Sequence, residues 1–323
     1  MERRTLAQGR LEIARLGFGA MTLGAQTDEK TAARMVDLCF DSGASFFDTA
    51  NVYSQGQSEE MLGRLLNGRR GRAVLATKAR GRMEGPPPYE GLAPGALRRA
   101  VEESLRRLRT DYVDILYLHQ PDYAVAPEDT LETLEALRQE GKIRRSGVSN
   151  YASWQTCEMI YACRSRDWEP PAISQQMYNV ITRGLEQEYV PFAERYGVGL
   201  AIYNPLAGGL LTGKQSWQAG PLAGTRFDAN ERYLKRYWHP QLFEAIEQLR
   251  ALAETAGRSL LELSLRWLLD RPFVDCVIVG ASKFEHLEAN LRAASSAPLS
   301  EEIHAACDEI WSRLKGPVAQ YNR

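Results

Sequence analysis

Short apolar runs alternate along the chain with longer stretches in which apolar residues recur every three or four positions. The run around Val113–Leu118 is almost continuously apolar, which is typical of parallel strands that are buried on both faces. Eight such runs are predicted to be strands: Arg15–Met21, Ser45–Thr49, Ala73–Lys78, Val113–His119, Arg144–Ser149, Ile173–Met177, Gly199–Asn204 and Cys276–Ala281.

The stretches between these runs have helical periodicity. Thr27 is the predicted N-cap of the first helix, which ends at Gly43, and a third helix begins near Leu131 and stops near Gly141. Alternation of strands and helices over this length predicts a parallel sheet with helices outside it. The inner stripes of the first two helices are Ala32, Met35, Val36, Cys39 and Phe40, and Leu97, Val101, Leu105 and Leu108.

The length of 323 residues suits one (β/α)8 barrel. Residues 1–14 contain a turn signal at Gly9 between two short strand-like pieces, so a β-hairpin precedes the barrel. Residues 208–240 have five glycines and no clear periodicity, which predicts a long loop after strand 7. The predicted fold is therefore α/β, a (β/α)8 TIM barrel with an N-terminal β-hairpin, that loop and extra C-terminal helices, in a single domain, 1–323.

Composition and charge exclude several classes of protein. Hydrophobic residues make up 44% and charged residues 25%, and the net charge is −1, so no general attraction to nucleic acid or to an anionic membrane is expected. Local arginine clusters lie beside acidic residues and are interpreted as solvated helix faces and loops. These clusters are Arg69, Arg70 and Arg72, and Arg98, Arg99, Arg106, Arg107 and Arg109.

The cysteines and the termini indicate a cytoplasmic protein. The five cysteines are odd in number and show no CxxC spacing, which favours free thiols over a disulfide framework or a metal site. Cys39 and Cys276 fall on apolar faces and are expected in the core. The segment Met1–Thr5 lacks the apolar stretch of a signal peptide, and no run approaches the ~18 apolar residues of a membrane span.

Four polar residues stand at or just past the ends of three consecutive predicted strands: Asp48, Tyr53, Lys78 and His119. A parallel barrel brings these ends together at one mouth. There the Lys78 ammonium would lower the pKa of the Tyr53 phenol, and Asp48 would hold Lys78. His119 would orient a carbonyl oxygen or share its proton. Together the four form a general acid for reduction of a carbonyl group.

Each of these residues also has a plainer interpretation. A single tyrosine or histidine is more often structural, the alternative for Lys78 is an outward-pointing lysine at a strand end, and the alternative for Asp48 is a turn cap. The four residues favour catalysis because they occur together at the strand ends where barrel enzymes collect their catalytic groups.

Three segments resemble the aldo-keto reductase superfamily. Phe47–Tyr53 resembles its Asp-Thr-Ala-x-x-Tyr motif, and Ala76–Lys78 and Leu116–His119 match the other positions of its catalytic tetrad. The resemblance extends over nearly the whole chain. It implies a (β/α)8 barrel that uses NADPH without a Rossmann domain, and the lack of a GxGxxG motif agrees with this.

The resemblance also implies cofactor-binding residues along the second half of the chain. Ser149, Asn150 and Gln175 would hold the nicotinamide carboxamide, and Tyr203 would stack on the ring. The segment 203–214 resembles the loop that covers the pyrophosphate, with Arg226 as a further contact. The residues of that segment expected to bind are Asn204, Leu206, Gly208 and Lys214.

Gly280 and Ser282 precede the predicted helix Phe284–Leu291, whose N-terminus suits a phosphate. By resemblance, this turn and helix hold the adenosine phosphate. Many relatives carry Arg or Gln where this chain has a histidine, which leaves the preference for NADPH over NADH open. The residues carried over are Gly280, Ser282, Lys283, His286 and Asn290.

Further segments resemble the aflatoxin-aldehyde and succinic-semialdehyde reductase branch of the superfamily. They are 150–154, 203–214, 236–238 and 321–323. This resemblance implies small aldehyde substrates, including carboxylate-bearing and dicarbonyl ones. Met21, Arg236 and Arg323 would then line the substrate pocket with Tyr53 and His119.

Two other functions stay open at this stage. Potassium-channel β subunits resemble the same superfamily and keep the tetrad, so a redox-sensing regulatory subunit is the chief alternative. A lyase that forms a Schiff base on Lys78 is the second. Also open are assembly as a homo-oligomer, the direction of the reaction in the cell and the physiological substrate.

Overall fold

Eight parallel strands close into a barrel in the computed structural model, which describes residues 1–6, 9–85, 87–228 and 230–317. The strands pair in chain order, and the last pairs with the first. The predicted strands are confirmed, with ends that differ by no more than two residues. They are β3 (Leu16–Gly19), β4 (Phe46–Asp48), β5 (Val74–Ala79), β6 (Val113–Leu118), β7 (Ile143–Ser149), β8 (Ile173–Met177), β9 (Gly199–Tyr203) and β10 (Cys276–Gly280), after the hairpin strands β1 (Arg3–Leu6) and β2 (Leu11–Ala14).

The predicted hairpin closes the N-terminal end of the barrel. Strands β1 and β2 pair antiparallel, and Leu6 packs against Gly199, the first residue of β9. Ile13 is fully buried in a cluster with inward-facing barrel residues. The floor of the barrel is therefore apolar, whereas Asp48 and Lys78 lie toward its other end. The inward-facing members of the cluster include Phe46, Ala76, Ile115, Ile173, Ala201 and Cys276.

Helices follow the strands on the outside of the barrel. They are α1 (Glu29–Ser42), α2 (Gln57–Leu65), α3 (Pro94–Leu108), α4 (Pro127–Gln139), α5 (Ser153–Arg164), α6 (Tyr189–Tyr196), α7 (Glu231–Tyr237), α8 (Pro240–Thr255), α9 (Leu260–Leu269), α10 (Phe284–Ala294) and α11 (Glu301–Lys315). The predicted stripes of α1 and α3 are buried, except for the half-buried Phe40. Helix α11 is an extra C-terminal helix, as predicted.

The predicted cap of α1 is wrong by one residue. Asp28 is the N-cap, and its carboxylate accepts a hydrogen bond from the Thr31 backbone N–H at 2.9 Å. The Thr27 hydroxyl donates instead to the Ser282 carbonyl at 3.3 Å, which ties the start of α1 to the turn before α10. Gly43 ends the helix in a left-handed conformation, with φ of +75°, as expected.

The interpretation of the arginine clusters as solvated is wrong for Arg107. Its side chain is only 6% exposed and forms an ion pair with the fully buried Glu59. Arg70 is also largely buried, and it pairs with Asp114 at 2.8 Å. A charged residue on the stripe of a helix that faces a neighbouring helix can be buried if a partner of opposite charge is buried with it.

The predicted long loop after the seventh barrel strand is partly helical. It contains a 3-10 turn, Ala207–Thr212, and the helix α7, which Asn230 caps by accepting from the Tyr233 backbone N–H. A helix of seven residues covers fewer than two turns, so it gives too short an apolar pattern to detect from sequence. Both elements lie beyond the C-terminal end of β9, on the side of the polar mouth.

Cys39 and Cys276 are fully buried, as expected from their apolar surroundings. Among the described residues, none of the helices is both long and apolar enough to cross a bilayer.

Candidate active site

The four side chains predicted to converge lie together at the C-terminal mouth of the barrel. Lys78 Nζ donates to Asp48 Oδ1 at 2.5 Å and to Tyr53 Oη at 3.4 Å. It also donates to the Thr49 carbonyl oxygen at 2.8 Å. Lys78 and Asp48 are almost completely buried, since the paired strands β4 and β5 bring both to the same end of the barrel.

Tyr53 and His119 reach this pair from the loops beyond the strands. Tyr53 begins a 3-10 turn after β4, and His119 follows the last residue of β6. Their rings meet edge to face, with centroids 5.9 Å apart and an interplanar angle of 82°. Asp48, Tyr53, Lys78 and His119, called the tetrad below, thus form one contiguous group.

The pKa of Tyr53 is raised, against the expectation from sequence. Burial of the phenol raises its pKa, and the Lys78 ammonium, which acts in the predicted direction, offsets this only in part. Asp48 contributes a further rise. The phenol therefore keeps its proton at neutral pH, which is the form that can donate one.

Lys78 stays charged although it is buried. Burial disfavours its ammonium, but the negative charge of Asp48 and the contact with Tyr53 outweigh burial, and the pKa of Lys78 is raised. A buried ammonium persists only when such partners compensate for its lost hydration. The site therefore holds a fixed positive charge beside the Tyr53 hydroxyl.

His119 is neutral over the physiological range. Burial lowers its pKa to about 3, and the positive charges of Lys78, Arg232 and Arg80 act in the same direction. A neutral imidazole can donate one N–H hydrogen bond but is a poor source of a second proton. Of the two roles predicted for His119, the geometry and charge favour orienting a carbonyl oxygen.

The residues predicted to hold the nicotinamide carboxamide lie beside the tetrad. Gln175 Nε2 donates to Asp48 Oδ2 at 2.7 Å, which fixes the orientation of its amide. Asn150 Nδ2 donates to the His119 carbonyl at 2.9 Å and to Ser149 Oγ at 3.1 Å. Tyr203 Oη donates to Asn150 Oδ1 at 2.6 Å, so the Tyr203 ring is tethered at the mouth.

The backbone after β9 turns sharply at the residues predicted to cover a pyrophosphate. Asn204 has φ of +61°, and its side chain accepts from the Gly208 N–H at 2.7 Å. A Cβ at Gly208 would come within 2.8 Å of Tyr233, so a larger residue would not fit there. Leu206 is half-buried against the core, and Lys214, beyond the turn, is exposed.

Basic side chains from two segments converge near the N-terminus of α10. Lys214 and Lys283 are both close enough to lower the pKa of His286, after the larger effect of its own burial. No side chain caps α10 in the described structure, which leaves backbone N–H groups of its first turn for an anion. Gly280 ends β10, Ser282 lies in the turn before the helix, and Asn290 is buried on its inner face.

This arrangement fits a dinucleotide cofactor. The tethered aromatic ring of Tyr203 and the amides beside it lie at the mouth. The turn after β9 leads to the basic group at α10, where several positive charges suit a phosphate. The residues that would hold the cofactor therefore run from the tetrad to the rim of the barrel.

The residues predicted to bind the substrate lie on separate segments of the chain. Met21 is 39% exposed in the turn after β3. The Arg236 guanidinium lies 6.0 Å from the centres of the Tyr233 and Tyr237 rings. Arg226, predicted at the pyrophosphate, donates to Tyr233 Oη at 3.2 Å and approaches Gly280. Arg323 lies outside the described residues.

Two cations near the tetrad were not predicted from sequence. Arg80 and Arg232 both lower the pKa of His119, and Arg232 also acts on Tyr203. Arg80 follows β5 with φ of +136°, a strained conformation for a residue with a side chain. Neither cation belongs to a motif, because Arg80 is placed by the chain just after β5 and Arg232 by the short helix α7.

The fold and this group of side chains define the protein as a (β/α)8 barrel oxidoreductase. The chain belongs to the aldo/keto reductase family, because the model described as "Aldo/keto reductase family" matches residues 15–312. Proteins of this family act on small carbonyl compounds with nicotinamide cofactors.

Three relatives illustrate the range of similarity. Human "Aflatoxin B1 aldehyde reductase member 2" is 37% identical, over 100% of this chain and 94% of the relative. A "Probable voltage-gated potassium channel subunit beta" of Arabidopsis thaliana is 33% identical, over 94% of each chain. The solved structure of "aldo-keto reductase AKR11C1 from Bacillus halodurans (holo form)" has a TM-score of 0.79 and 30% identity, over 96% of each chain. The first of these relatives agrees with the branch that the sequence motifs indicate.

Proposed function

We propose that this chain is an NADPH-dependent reductase that converts small aldehydes to alcohols, with Tyr53 as the proton donor. The proposal rests on the contacts of the buried Lys78 ammonium with both Asp48 and Tyr53 at the mouth of the barrel. Bound NADPH would supply a hydride for the carbonyl carbon. The carbonyl oxygen takes the phenolic proton of Tyr53, so one hydride and one proton complete the alcohol.

Each member of the tetrad has a separate task in this scheme. The fixed charge of Lys78 stabilises the phenolate that remains after proton transfer, and Asp48 keeps Lys78 charged and in place. Neutral His119 donates an N–H hydrogen bond to the carbonyl oxygen and so orients the aldehyde toward Tyr53. Tyr53 is then reprotonated from solvent through the open mouth.

The cofactor-binding residues follow from the sequence resemblance and the fit described above. Ser149, Asn150 and Gln175 would hold the nicotinamide carboxamide, with Tyr203 against the ring. The turn at Asn204, Leu206 and Gly208 would lie along the pyrophosphate, with Lys214 and Arg226 contributing charge. Gly280, Ser282, Lys283, His286 and Asn290 would hold the adenosine phosphate.

For the substrate, we propose small aldehydes that include ones with a distant carboxylate or a second carbonyl. The relative named as an aflatoxin B1 aldehyde reductase supports an aldehyde substrate. Arg236 and Arg323 would bind the carboxylate, and Met21 would contact the aliphatic part. The whole chain, 1–323, would act as one barrel domain, and free cysteines would suit the cytoplasm.

The direct test is a panel of aldehydes assayed with NADPH and with NADH. We expect steady turnover of small aldehydes, recorded as loss of reduced-cofactor absorbance, with NADPH preferred. No reduction of any aldehyde by either cofactor would contradict the proposal.

Cofactor choice has its own test in Lys283. If Lys283 binds the 2′-phosphate, a charge-assisted contact worth roughly 1.5–3 kcal/mol is lost in Lys283→Ala. NADPH should then bind about tenfold more weakly or worse, while NADH binding, measured by fluorescence titration, stays nearly unchanged. Equal weakening of both cofactors would show that Lys283 does not recognise the phosphate.

A redox-sensing regulatory subunit is the second candidate, since the Arabidopsis relative is described as a probable channel subunit. Slow turnover with tightly held cofactor would favour that function, and fast turnover would favour the reductase.

A Schiff-base lyase is disfavoured, because Asp48 keeps Lys78 protonated and a Schiff base requires the free amine. Trapping of a substrate on Lys78 with borohydride would reverse this conclusion.

A further inference from the structure

A buried polar contact lies directly behind Lys78, on the outer side of β5. Successive side chains of a strand point to opposite faces, so Thr77 points out of the barrel while Lys78 points in. The Thr77 hydroxyl donates to Glu59 Oε1 at 2.5 Å. Glu59 lies in the first turn of α2 and is fully buried, so its carboxylate depends on protein partners alone.

The second partner of Glu59 comes from the next helix. Arg107 Nε in α3 donates to Glu59 Oε2 at 2.7 Å, and the Arg107 side chain is 6% exposed. Both carboxylate oxygens of Glu59 are thus engaged, one by β5 and one by α3. A single buried group therefore joins three elements around the outside of the Lys78 strand.

Arg107 also touches the loop that carries Tyr53. A Cβ at Gly56 would lie 2.7 Å from Arg107 Cδ, so a residue with a side chain at this position would clash with the arginine. Ser54, Gln55 and Gly56, the three residues after Tyr53, all have positive φ, at +49°, +51° and +92°. This run is strained for the two residues with side chains and persists only because surrounding contacts hold it.

Ser58, the residue before Glu59, helps to hold Thr49, which is a direct hydrogen-bond partner of Lys78. The hydroxyls of Ser58 and Thr49 are 2.9 Å apart, and Ser58 also donates to the Ala20 carbonyl at 2.7 Å. The carbonyl of Thr49 is the third acceptor of the Lys78 ammonium. The first turn of α2 thus fixes both the residue next to Lys78 and one of its direct partners.

The ion pair of Glu59 and Arg107 is poorly explained by a contribution to stability alone. Removing two charges from water costs as much as their attraction returns, or more, and apolar side chains often hold helices together equally well. What an apolar pair would lack is a directional contact that fixes Thr77 and Gly56 at defined positions. Those positions determine where Lys78 and Tyr53 stand relative to each other.

We propose that Glu59 and Arg107 are positioning residues that set the separation of Lys78 Nζ and Tyr53 Oη, Glu59 through Thr77 and Arg107 through Gly56. This inference rests on the proposed function of the tetrad in proton donation. Neither residue touches the substrate or the cofactor, and both act through the backbone of β5 and of the Tyr53 loop. The present separation of 3.4 Å is long enough to be sensitive to small displacements.

Displacement of Lys78 away from Tyr53 would change the pKa of Tyr53 and kcat in a defined direction. Lys78 favours the Tyr53 phenolate, so moving Lys78 away raises the pKa of Tyr53. Reduction requires the protonated phenol, and kcat falls as the phenol loses its proton at high pH. A wider separation therefore moves the alkaline limb of the kcat profile to higher pH and lowers kcat, because the phenolate formed by proton transfer is less stabilised.

The test uses matched variants of Glu59 and Thr77. Glu59→Gln removes the charge at nearly constant volume, and Thr77→Val removes the hydroxyl while Thr77→Ser keeps it. We expect Glu59→Gln and Thr77→Val to lower kcat about 10–100-fold, the order expected for small misplacements, with KM for the aldehyde changed less than about threefold. Thr77→Ser should retain the parent kcat and pH profile.

Asp114→Asn is the structural control. Asp114, in β6, pairs with Arg70 and accepts from the Leu75 backbone N–H at 2.9 Å, so it is bonded to the same strand, β5, near the end opposite to Lys78. The Asp114→Asn variant should lose stability as Glu59→Gln does, but keep the parent kcat and the parent alkaline limb of the kcat profile. If Glu59→Gln and Thr77→Val keep the parent kcat and pH profile, or if Asp114→Asn changes the profile equally, the inference is wrong.

A spectroscopic measurement separates this inference from the proposed function. Tyrosine labelled with ¹³C at Cζ reports the protonation of each phenol, and Tyr53→Phe assigns the Tyr53 signal. We expect the Tyr53 signal to titrate at higher pH in Glu59→Gln and Thr77→Val than in the parent and in Thr77→Ser. If the parent reduces no aldehyde, the proposed function fails, and an unchanged Tyr53 titration in these variants overturns the positioning role independently.

Discussion

At the scale of single residues, the site depends on a balance of burial against charge at Tyr53. Burial raises the pKa of the phenol, while Lys78 acts in the opposite direction. The proton is therefore retained until a carbonyl oxygen is in place to accept it. A donor of this kind works by position, and its removal should affect chemistry far more than binding.

Tyr53→Phe removes the proposed donor but keeps the ring. General acid catalysis contributes about 10²–10⁴-fold, and we expect kcat for aldehyde reduction to fall by at least that order with NADPH affinity retained. Tyr161→Phe, which removes the hydroxyl of an exposed tyrosine on α5, is the control and should match the parent. Near-normal turnover in Tyr53→Phe would remove Tyr53 from its role.

His119 makes the stability of the protein depend on pH. Its folded pKa of about 3 lies below the ordinary value of 6.5, so the unfolded chain binds more protons between these values. Stability from this residue is therefore complete above about pH 6.5 and is lost as pH falls toward 3. At about pH 4.5 the loss is roughly 1–2 kcal/mol, allowing for partial exposure of the ring.

Urea unfolding at about pH 7 and 4.5 tests this dependence. His119→Gln should lose less free energy of unfolding between the two pH values than the parent loses. His239→Gln, at an exposed histidine before α8, should keep the parent difference. If His119→Gln shows the parent difference too, His119 is not neutral in the folded protein.

At the scale of elements, the short helix α7 determines which charges face the mouth. Tyr237 Oη accepts from Asn204 Nδ2 at 2.6 Å, which anchors the helix beside Tyr203 at the end of β9. Arg232 and Arg236 are one turn apart and therefore share a face of the helix. Both are close enough to lower the pKa of Tyr203, against the larger effect of its burial.

This pair of like charges predicts binding of a carboxylate at the far end of the aldehyde. Arg236→Ala and Arg232→Ala should each raise KM for succinic semialdehyde, by about tenfold if one charge-assisted hydrogen bond is lost, and leave KM for butanal unchanged. Lys235→Ala removes an exposed cation of the same helix that is paired with Glu231, and should spare both substrates. If all three variants treat the two aldehydes as the parent does, α7 does not bind a carboxylate, and the reductase proposal still stands.

At the scale of the whole molecule, the sequence predicts the barrel well, since eight buried parallel strands leave eight apolar runs. It also predicts that Asp48, Lys78 and His119 share a mouth, because strand ends share it. It does not predict that Glu59 and Arg107 are buried together, because charged residues on amphipathic helices are usually solvated. The positions of Arg80, just after β5, and of Arg232, in the short helix α7, are not encoded by any local periodicity.

The two ends of the barrel have separate tasks. Ile13 is fully buried in the apolar floor, whereas the tetrad lies at the opposite mouth. In barrels of this kind, residues of the N-terminal face contribute to stability and those of the C-terminal face to chemistry. Truncation of a buried isoleucine leaves a cavity and costs about 2–5 kcal/mol.

Ile13→Ala should therefore lower the midpoint of urea unfolding clearly while kcat and KM at 25 °C stay within about twofold of the parent. Glu12→Ala, at the exposed neighbour on the same hairpin strand, should change neither quantity by a comparable amount. Urea unfolding and steady-state kinetics, measured on one preparation, test whether stability and catalysis are separate. If kcat fell in Ile13→Ala as far as stability did, with the protein still folded, the floor and the mouth would be mechanically coupled, and the positions of Lys78 and Tyr53 would depend on the hairpin as well as on their own neighbours.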